Sequence, residues 1–300
     1  MRDVNLNELI EFKQQRMKKS EIFNFIKEKA IEAGWLELSS NPKAEGYIFY
    51  SKGDTDDKEI WIQLRENYDG SVSYFSSTDE RVFDVKTMFS YVPDAVAGKN
   101  GVSNPVMSNS YQHRVIASIK ETTIPIDSLF DVYYHFNKNR LIFALKNIRT
   151  LDSCFVMAGR PTNSLSAESK EIGNLSIVSN SYRWTPAVAM GELHSSRTNG
   201  YTLTPIINNI PRSFMKRSTY MTEIAVGSST EGFKCYLEGI YALNVDTQFS
   251  SGVGFDGDMI IDEFGNEYTL LNCASTYSQL LTTTYYVICT KIAKSEEGEI

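Results

Sequence analysis

The sequence predicts an α+β protein: N-terminal helices packed on a mainly antiparallel sheet, followed by a β-rich C-terminal half. Three observations predict it. Apolar residues recur at helical spacing through the first 33 positions. Two segments then alternate with period two on either side of short polar turns, the pattern of hairpins. The rest is a series of short β-branched and aromatic runs joined by polar connectors.

The helical signal divides in two. Leu6, Leu9, Ile10, Lys13 and Met17 share one spacing, and Lys18 and Lys19 would complement the C-terminal dipole of that first helix. Ser20 can cap a second helix, Glu21 to Ala33, with Ile22, Phe23, Ile26, Ala30 and Ala33 on one face. Gly34 stands where a helix usually ends in a left-handed residue.

The first hairpin joins Gly46–Ser51 to Lys58–Glu66, with Ile60, Ile62 and Leu64 on one face and Trp61, Gln63 and Arg65 on the other. A third strand, SVSYFSS, follows the Asp69-Gly70 turn signal. From Asp79 to Thr123 the chain reads as irregular, rich in Ser, Asn, Gly and Pro. Loops longer than about 15 residues are uncommon without a function. The stretch from Ala95 to Tyr111 therefore reads either as a solvated excursion or as an arm ordered by assembly.

In the second hairpin Phe130, Val132, Tyr134 and Phe136 alternate with Asp131, Tyr133 and His135, and Asn137-Lys138-Asn139 makes the turn. Leu141 to Leu145 is almost continuously apolar, which predicts a central strand covered on both faces by the N-terminal helices. After Arg149 the candidates are SCFVMAG, NLSIVS, GFKCYLEGIYALN, GDMIID, NEYTLLNC and TTYYVICTKI, ending in a frayed SEEGEI tail. This change of character divides the chain into an α+β part, 1–150, and a β-rich part, 151–300. A chain of 300 residues with 42% hydrophobic content can bury a large core.

Charge and motifs narrow the function classes. The net charge is −7 and no basic run exceeds Arg16-Met17-Lys18-Lys19 or Met215-Lys216-Arg217, which counts against nucleic acid as the main partner. No stretch approaches the ~20 apolar residues of a membrane helix, and the first twenty residues lack the apolar core of a signal peptide. The expectation is a soluble protein assembled in the cytoplasm, with no membrane partner. Cys154, Cys235, Cys273 and Cys289 are far apart in apolar runs, so buried thiols are expected rather than a zinc cluster or disulfide framework.

Gly252-Val-Gly254-Phe-Asp-Gly257 matches a dinucleotide-binding pattern, but a strand–turn–strand sequence follows where a helix is needed. Asp54, Asp56, Asp57 and Glu59, like Asp256 and Asp258, lack a calcium-loop spacing and read as solvated turns. His113, His135 and His194 have no nucleophile elbow beside them. Asn174-Leu-Ser176 is a formal glycosylation sequon without an export signal. The expectation is a protein without catalytic, metal or cofactor residues, whose function lies in binding other subunits.

One run of elements carries a resemblance. A helix ending AGW leads to GYIFYSKG and KEIWIQLRE, and later to FDVYYHFNKNRLIFALKN and SCFVMAGRP. Over residues 20–160 this resembles the virion structural proteins of long-tailed bacteriophages, of the tail-terminator or neck type. The resemblance implies a non-enzymatic subunit of a six-fold ring that ends the tail tube and presents a surface to the head connector. It implies as partners further copies of itself, tail tube and sheath proteins and connector proteins. The genome would pass through the lumen without specific binding, and the protein would reside in the virion. Another virion component, such as a connector adaptor, baseplate or fibre-attachment protein, is the alternative within that class. A carbohydrate-binding or hydrolase module is the alternative outside it.

The materials for subunit contacts are the polar arm, the aromatic strands and the glycine-rich loops. From these the candidate assembly contacts are Lys99, Asn100, Val102, Asn104, Val106, Met107 and Tyr111 in the arm. Tyr133 in a strand and Phe249 and Phe255 in the loops complete the set.

Overall fold

The computed structural model describes residues 13–39, 46–53, 60–66, 81–88, 113–116, 124–149, 153–159, 163–164, 175–180, 187–190, 202–205, 220–228, 232–246, 259–261, 266–271 and 282–292. Among these are one helix and three antiparallel sheets, a mixture of the predicted α+β class.

The helix, α1 (Lys19–Glu32), buries Ile22, Phe23, Ile26 and Ala30, the stripe its spacing predicts. It starts two residues earlier than expected. Glu21 accepts a hydrogen bond from the Lys18 backbone N–H at 2.8 Å, which satisfies one donor at the helix start. Met17 just before the helix and Ile22 in its first turn are buried in the same core, as in a hydrophobic staple. At the other end Gly34 adopts φ 94°, where its N–H donates to Ile31 O and that of Trp35 to Ala30 O. This double bond pattern is a Schellman stop, and it depends on a residue that tolerates positive φ.

The expected first helix is overturned where it is described. Residues 13–18 form strand β1 (Lys13–Lys18), not a helical turn. Of these residues only Met17 is buried, so there is little apolar stripe for a helix to pack. Pairing along its length with β7 (Leu129–Phe136), from Lys13↔Tyr134 to Lys18↔Leu129, decides the backbone instead. Leu6, Leu9 and Ile10 lie outside the described residues.

The second sheet contains β2 (Leu36–Glu37), β3 (Tyr47–Ser51), β4 (Ile60–Glu66), β5 (Arg81–Met88) and β6 (His113–Ile116), in that order across it. The β3–β4 register, Tyr47↔Leu64 through Ser51↔Ile60, realises the first predicted hairpin. The strands β5 and β6 correct the irregular reading of 79–123. In Arg81–Met88, Phe83 and Val85 alternate with Asp84 and Lys86, a period-two signal hidden by the polar sequence around it. The predicted SVSYFSS strand and the stretch 95–111 lie outside the described residues.

The first sheet runs β1–β7–β8–β9–β11–β12, with β8 (Arg140–Asn147), β9 (Ser153–Gly159), β11 (Leu175–Asn180) and β12 (Ala187–Met190). It is built from both sides of residue 150. The second predicted hairpin is β7–β8, paired from Phe130↔Asn147 to Phe136↔Leu141. Between β7 and β9, β8 is central, and Leu141 through Leu145 are all buried.

Cover on one side of β8 comes from α1 and the second sheet together. Ile22, Ile26, Phe49, Ile62, Leu64 and Val85 share one core with Phe130, Val132, Leu141, Phe143, Cys154 and Val156. Phe25 meets Tyr134 edge-on at a centroid distance of 5.0 Å, fixing the helix on the first sheet.

The third sheet, ordered β13–β14–β15–β18–β17–β16, takes in β13 (Thr202–Pro205), β14 (Tyr220–Ser228), β15 (Gly232–Asp246), β16 (Met259–Ile261), β17 (Asn266–Leu271) and β18 (Thr282–Ile292). The short β10 (Asn163–Ser164) also pairs with β15. Of these, β15, β16, β17 and β18 coincide with predicted runs; β10, β13 and β14, like β12 of the first sheet, do not. The β16–β17 hairpin is the strand–turn–strand pattern that follows Gly257.

Cys154 is the cysteine whose surroundings are described, and it is a buried free thiol. Burial pushes its pKa from an ordinary 9.0 up to about 12, opposed in part by a backbone hydrogen bond with Leu145. The folded state thus keeps a proton that the unfolded thiol releases near pH 9. Stability from this group is intact below pH 9 and falls as pH rises toward 12, by about 1 kcal/mol at pH 10. Urea unfolding at pH 8 and pH 10 should show a shallower alkaline loss in Cys154→Ala than in the parent. Equal losses in the two proteins would refute this.

Candidate functional site

Two places in the described fold concentrate polar side chains. One is the tip of the β7–β8 hairpin. The Asn137 side-chain oxygen accepts from the N–H groups of Asn139 and Arg140, both at 2.9 Å, which closes the turn on itself. Trp35 Nε1 donates to Asn137 O at 2.7 Å, and Ser51 Oγ donates to Lys138 O at 2.6 Å. The tip is therefore stapled to the end of α1 and to β3 through its main-chain carbonyls. His135 sits beside it, with Nε2 3.4 Å from the Asn137 amide nitrogen. These bonds tie the hairpin tip to the second sheet and to the end of α1.

The other place is the edge of the first sheet. Among the described residues β1 pairs on one side alone, with β7. Its side chains alternate across the sheet: Lys13, Gln15 and Met17 line up with Tyr134, Val132 and Phe130, and Gln14, Arg16 and Lys18 with Tyr133, Asp131 and Leu129. Met17 anchors the strand in the core while the other five side chains are exposed. Arg16 grips Asp131 with two hydrogen bonds, Nε to Oδ1 at 2.8 Å and Nη2 to Oδ2 at 3.0 Å. A two-pronged pair of this kind fixes register as well as position. Asp131 holds the Arg16 pKa above its ordinary value, chiefly through that hydrogen bond.

The strand's far end is tied down too. The Lys19 N–H donates to Ser128 O at 2.8 Å and the Ser20 N–H to Ile126 O at 3.1 Å. Lys19 Nζ reaches Ile124 O at 3.1 Å. Beside this corner two large apolar side chains face solvent, Ile126 at 73% exposure and Leu129 at 45%. Among the described residues the arrangement is a basic strand edge, tied down at both ends and unpaired on one side, next to an apolar step. Chemically it can pair with another extended strand.

No family model matches the chain, and no curated protein is significantly similar to it.

Of the sequence-derived contact candidates, Tyr133 is the one that falls in the described fold. At 5% exposure it is buried, as is its face neighbour Asp131. Lys99, Asn100, Val102, Asn104, Val106, Met107, Tyr111, Phe249 and Phe255 lie outside the described residues. So do the Asp54–Glu59 cluster and the glycine run 252–257. Among the described residues no group of three or more His, Cys, Asp and Glu could hold a metal ion, and no helix is long and apolar enough to cross a membrane. Sequence reasoning missed Lys13, Arg16 and Lys18 because an edge is a property of strand order, and KQQRMK carries no periodic apolar signal.

Proposed function

We propose that this chain is a structural subunit of a long-tailed bacteriophage tail or neck, one of six copies in a ring. The ring terminates the tail tube and joins it to the head-side connector. The observation that carries this reading is the edge of β1 that no described strand pairs with, pinned by Arg16 and Asp131 at the end of an antiparallel sheet. An edge held rigid before binding loses little conformational freedom when a second strand adds to it. Contacts of that kind are directional, and directional contacts whose rotation closes make rings. The order of hairpins that resembles the tail-terminator and neck proteins supports the station in the particle. A net charge of −7 suits a lumen through which DNA slides without being held.

Two-dimensional electron-microscopy averages of the purified protein test the reading. Closed rings with six-fold symmetry are the expected result, confirmed by a six-copy mass in native mass spectrometry. Trimers would indicate a fibre-related role instead. A monomer at all accessible concentrations would refute self-assembly. Tight, salt-sensitive binding to duplex DNA would refute the passive lumen.

A further inference from the structure

We propose that β1 of one copy pairs with β2 of a second copy, Lys18 across from Glu37, joining the first sheet of one subunit to the second sheet of the next. The inference rests on the self-assembly part of the reading above and names the two surfaces that meet.

Among the described residues each of these strands ends its sheet, β1 beside β7 and β2 beside β3. A strand in that position can add another through its main chain. Both strands carry exposed side chains on both faces. In β1 these are Lys13 and Gln15 on one face and Gln14, Arg16 and Lys18 on the other. In β2 the exposed Glu37 alternates with Leu36 and Leu38, which are 57% and 40% exposed and share the opposite face. The extended backbone continues past the two residues of β2. The Leu38 N–H donates to Ile48 O at 2.9 Å, and the Ser39 hydroxyl accepts from the Ile48 N–H at 2.9 Å.

The two edges are opposite in charge. β1 holds three cations and no anion. Of the carboxylates near it, Asp131 is engaged by Arg16 and Glu21 by the Lys18 backbone N–H, and Asp127 lies beyond the last pair, Lys18↔Leu129. From Glu32 to Ser39 the chain holds two anions and no cation. Glu32 is paired with Lys29, whereas Glu37 accepts from the neutral Ser39 hydroxyl at 3.2 Å. Lys138 lies at Gly34, before the strand begins. With Lys18 opposite Glu37, a leucine stands opposite Met17 whichever way β2 runs: Leu38 if antiparallel, Leu36 if parallel. Opposite charges across a strand pair stabilise it, and the leucine gives up apolar surface to its partner. Pairing like with like fares worse. β1 against a second β1 in the equivalent antiparallel register sets Lys13 against Lys18, and β2 against itself sets Glu37 against Glu37. Each edge thus repels its own kind and accepts the other. Such a contact uses two different surfaces and propagates from copy to copy, which a ring requires and a two-fold dimer does not.

Sedimentation velocity of charge-reversed variants tests this. Lys18→Glu and Glu37→Lys should each associate about fivefold more weakly than the parent, or worse. Arg16 is left in place because it holds β1 to β7. Mixing the two variants should restore association, since each then offers the edge the other lacks. The double variant Lys18→Glu, Glu37→Lys should associate alone. A separate variant, Leu36→Asp, Leu38→Asp, removes the apolar part of the contact and should weaken association about tenfold. Both leucines are exposed in the subunit, so this variant should melt with the parent in circular dichroism. It decides the matter if a charge variant does not fold. Association of any of the three weakened variants at the parent's strength, or a mixture that fails to recover it, would overturn the pairing while leaving self-assembly standing. A parent that never associates would overturn both.

Discussion

Replacing Leu141 with aspartate is expected to unfold the protein. Leu141 is fully buried in β8, the strand between β7 and β9, opposite Phe136 on one side and Ala158 on the other. Its side chain lies in the core shared by α1 and both the first and second sheets. A carboxylate there either stays charged and unpaired in an apolar surround or takes up a proton at the expense of folding. Loss of the leucine's own burial and packing adds to this. The combined cost is at least about 4 kcal/mol, against the roughly 5–15 kcal/mol that holds a typical domain together.

The same argument applies to Ile62→Asp in β4, whose side chain enters that core from the second sheet. Urea unfolding followed by fluorescence of the buried Trp35 reads the effect directly. Leu141→Met, which conserves volume, should stay within about 1.5 kcal/mol of the parent. A soluble Leu141→Asp protein with an unchanged midpoint would mean that β8 does not run through the core.

That core was largely legible in the sequence, for a reason visible in its residues. Ile22, Phe23, Ile26 and Ala30 announce α1 because one face of a helix meets the core every three or four residues. Ile60, Ile62 and Leu64 announce β4 by period two. The Asn137-Lys138-Asn139 turn is equally local, since Asn137 closes it with its own side chain. Signals of this sort need no knowledge of neighbours.

What failed was what depends on neighbours. Residues 13–18 are a strand because β7 is there to pair with them, and Met17 alone carries no period. Tyr133 and Asp131, on the polar side of the β7 alternation, are both buried, which the alternation alone does not announce. The open edge of β1 could not be read before the order of strands was known, and the candidate site rests on that order. Part of its charge, by contrast, is legible in sequence: Arg16 and Lys18 belong to the short basic run Arg16–Lys19, whereas Lys13 reads as part of the expected helical spacing.

Gly159→Ala is expected to destabilise the protein nearly as much as a charge in the core, though it adds one methyl group. Gly159 ends β9 with φ 127°, a conformation that side chains other than glycine's rarely adopt. It lies between Arg140 of β8 and Leu175 of β11, in register with both. A Cβ at this position would stand 2.3 Å from the Asn139 carbonyl oxygen and 2.7 Å from the Arg140 Cα. Both obstacles are main-chain atoms, so rotation of a side chain cannot relieve them.

The chain around residues 139 and 140 is itself held by the Asn137 turn and, through Asn137 O and Lys138 O, by Trp35 and Ser51. Relief therefore requires parting β8 from β9 or opening the hairpin tip that joins the first sheet to the second. Backbone strain of this class costs of order 1–3 kcal/mol, and the overlap with main-chain atoms adds a comparable amount. A thermal melt should show Gly159→Ala several degrees or more below the parent. Gly34→Ala, whose added methyl would meet the flexible Lys138 side chain at 3.3 Å, should lose less. Equal melting temperatures for Gly159→Ala and the parent would mean that β9 does not meet β8 in this register, and the packing of Cys154, Val156 and Ala158 into the core would then need another explanation.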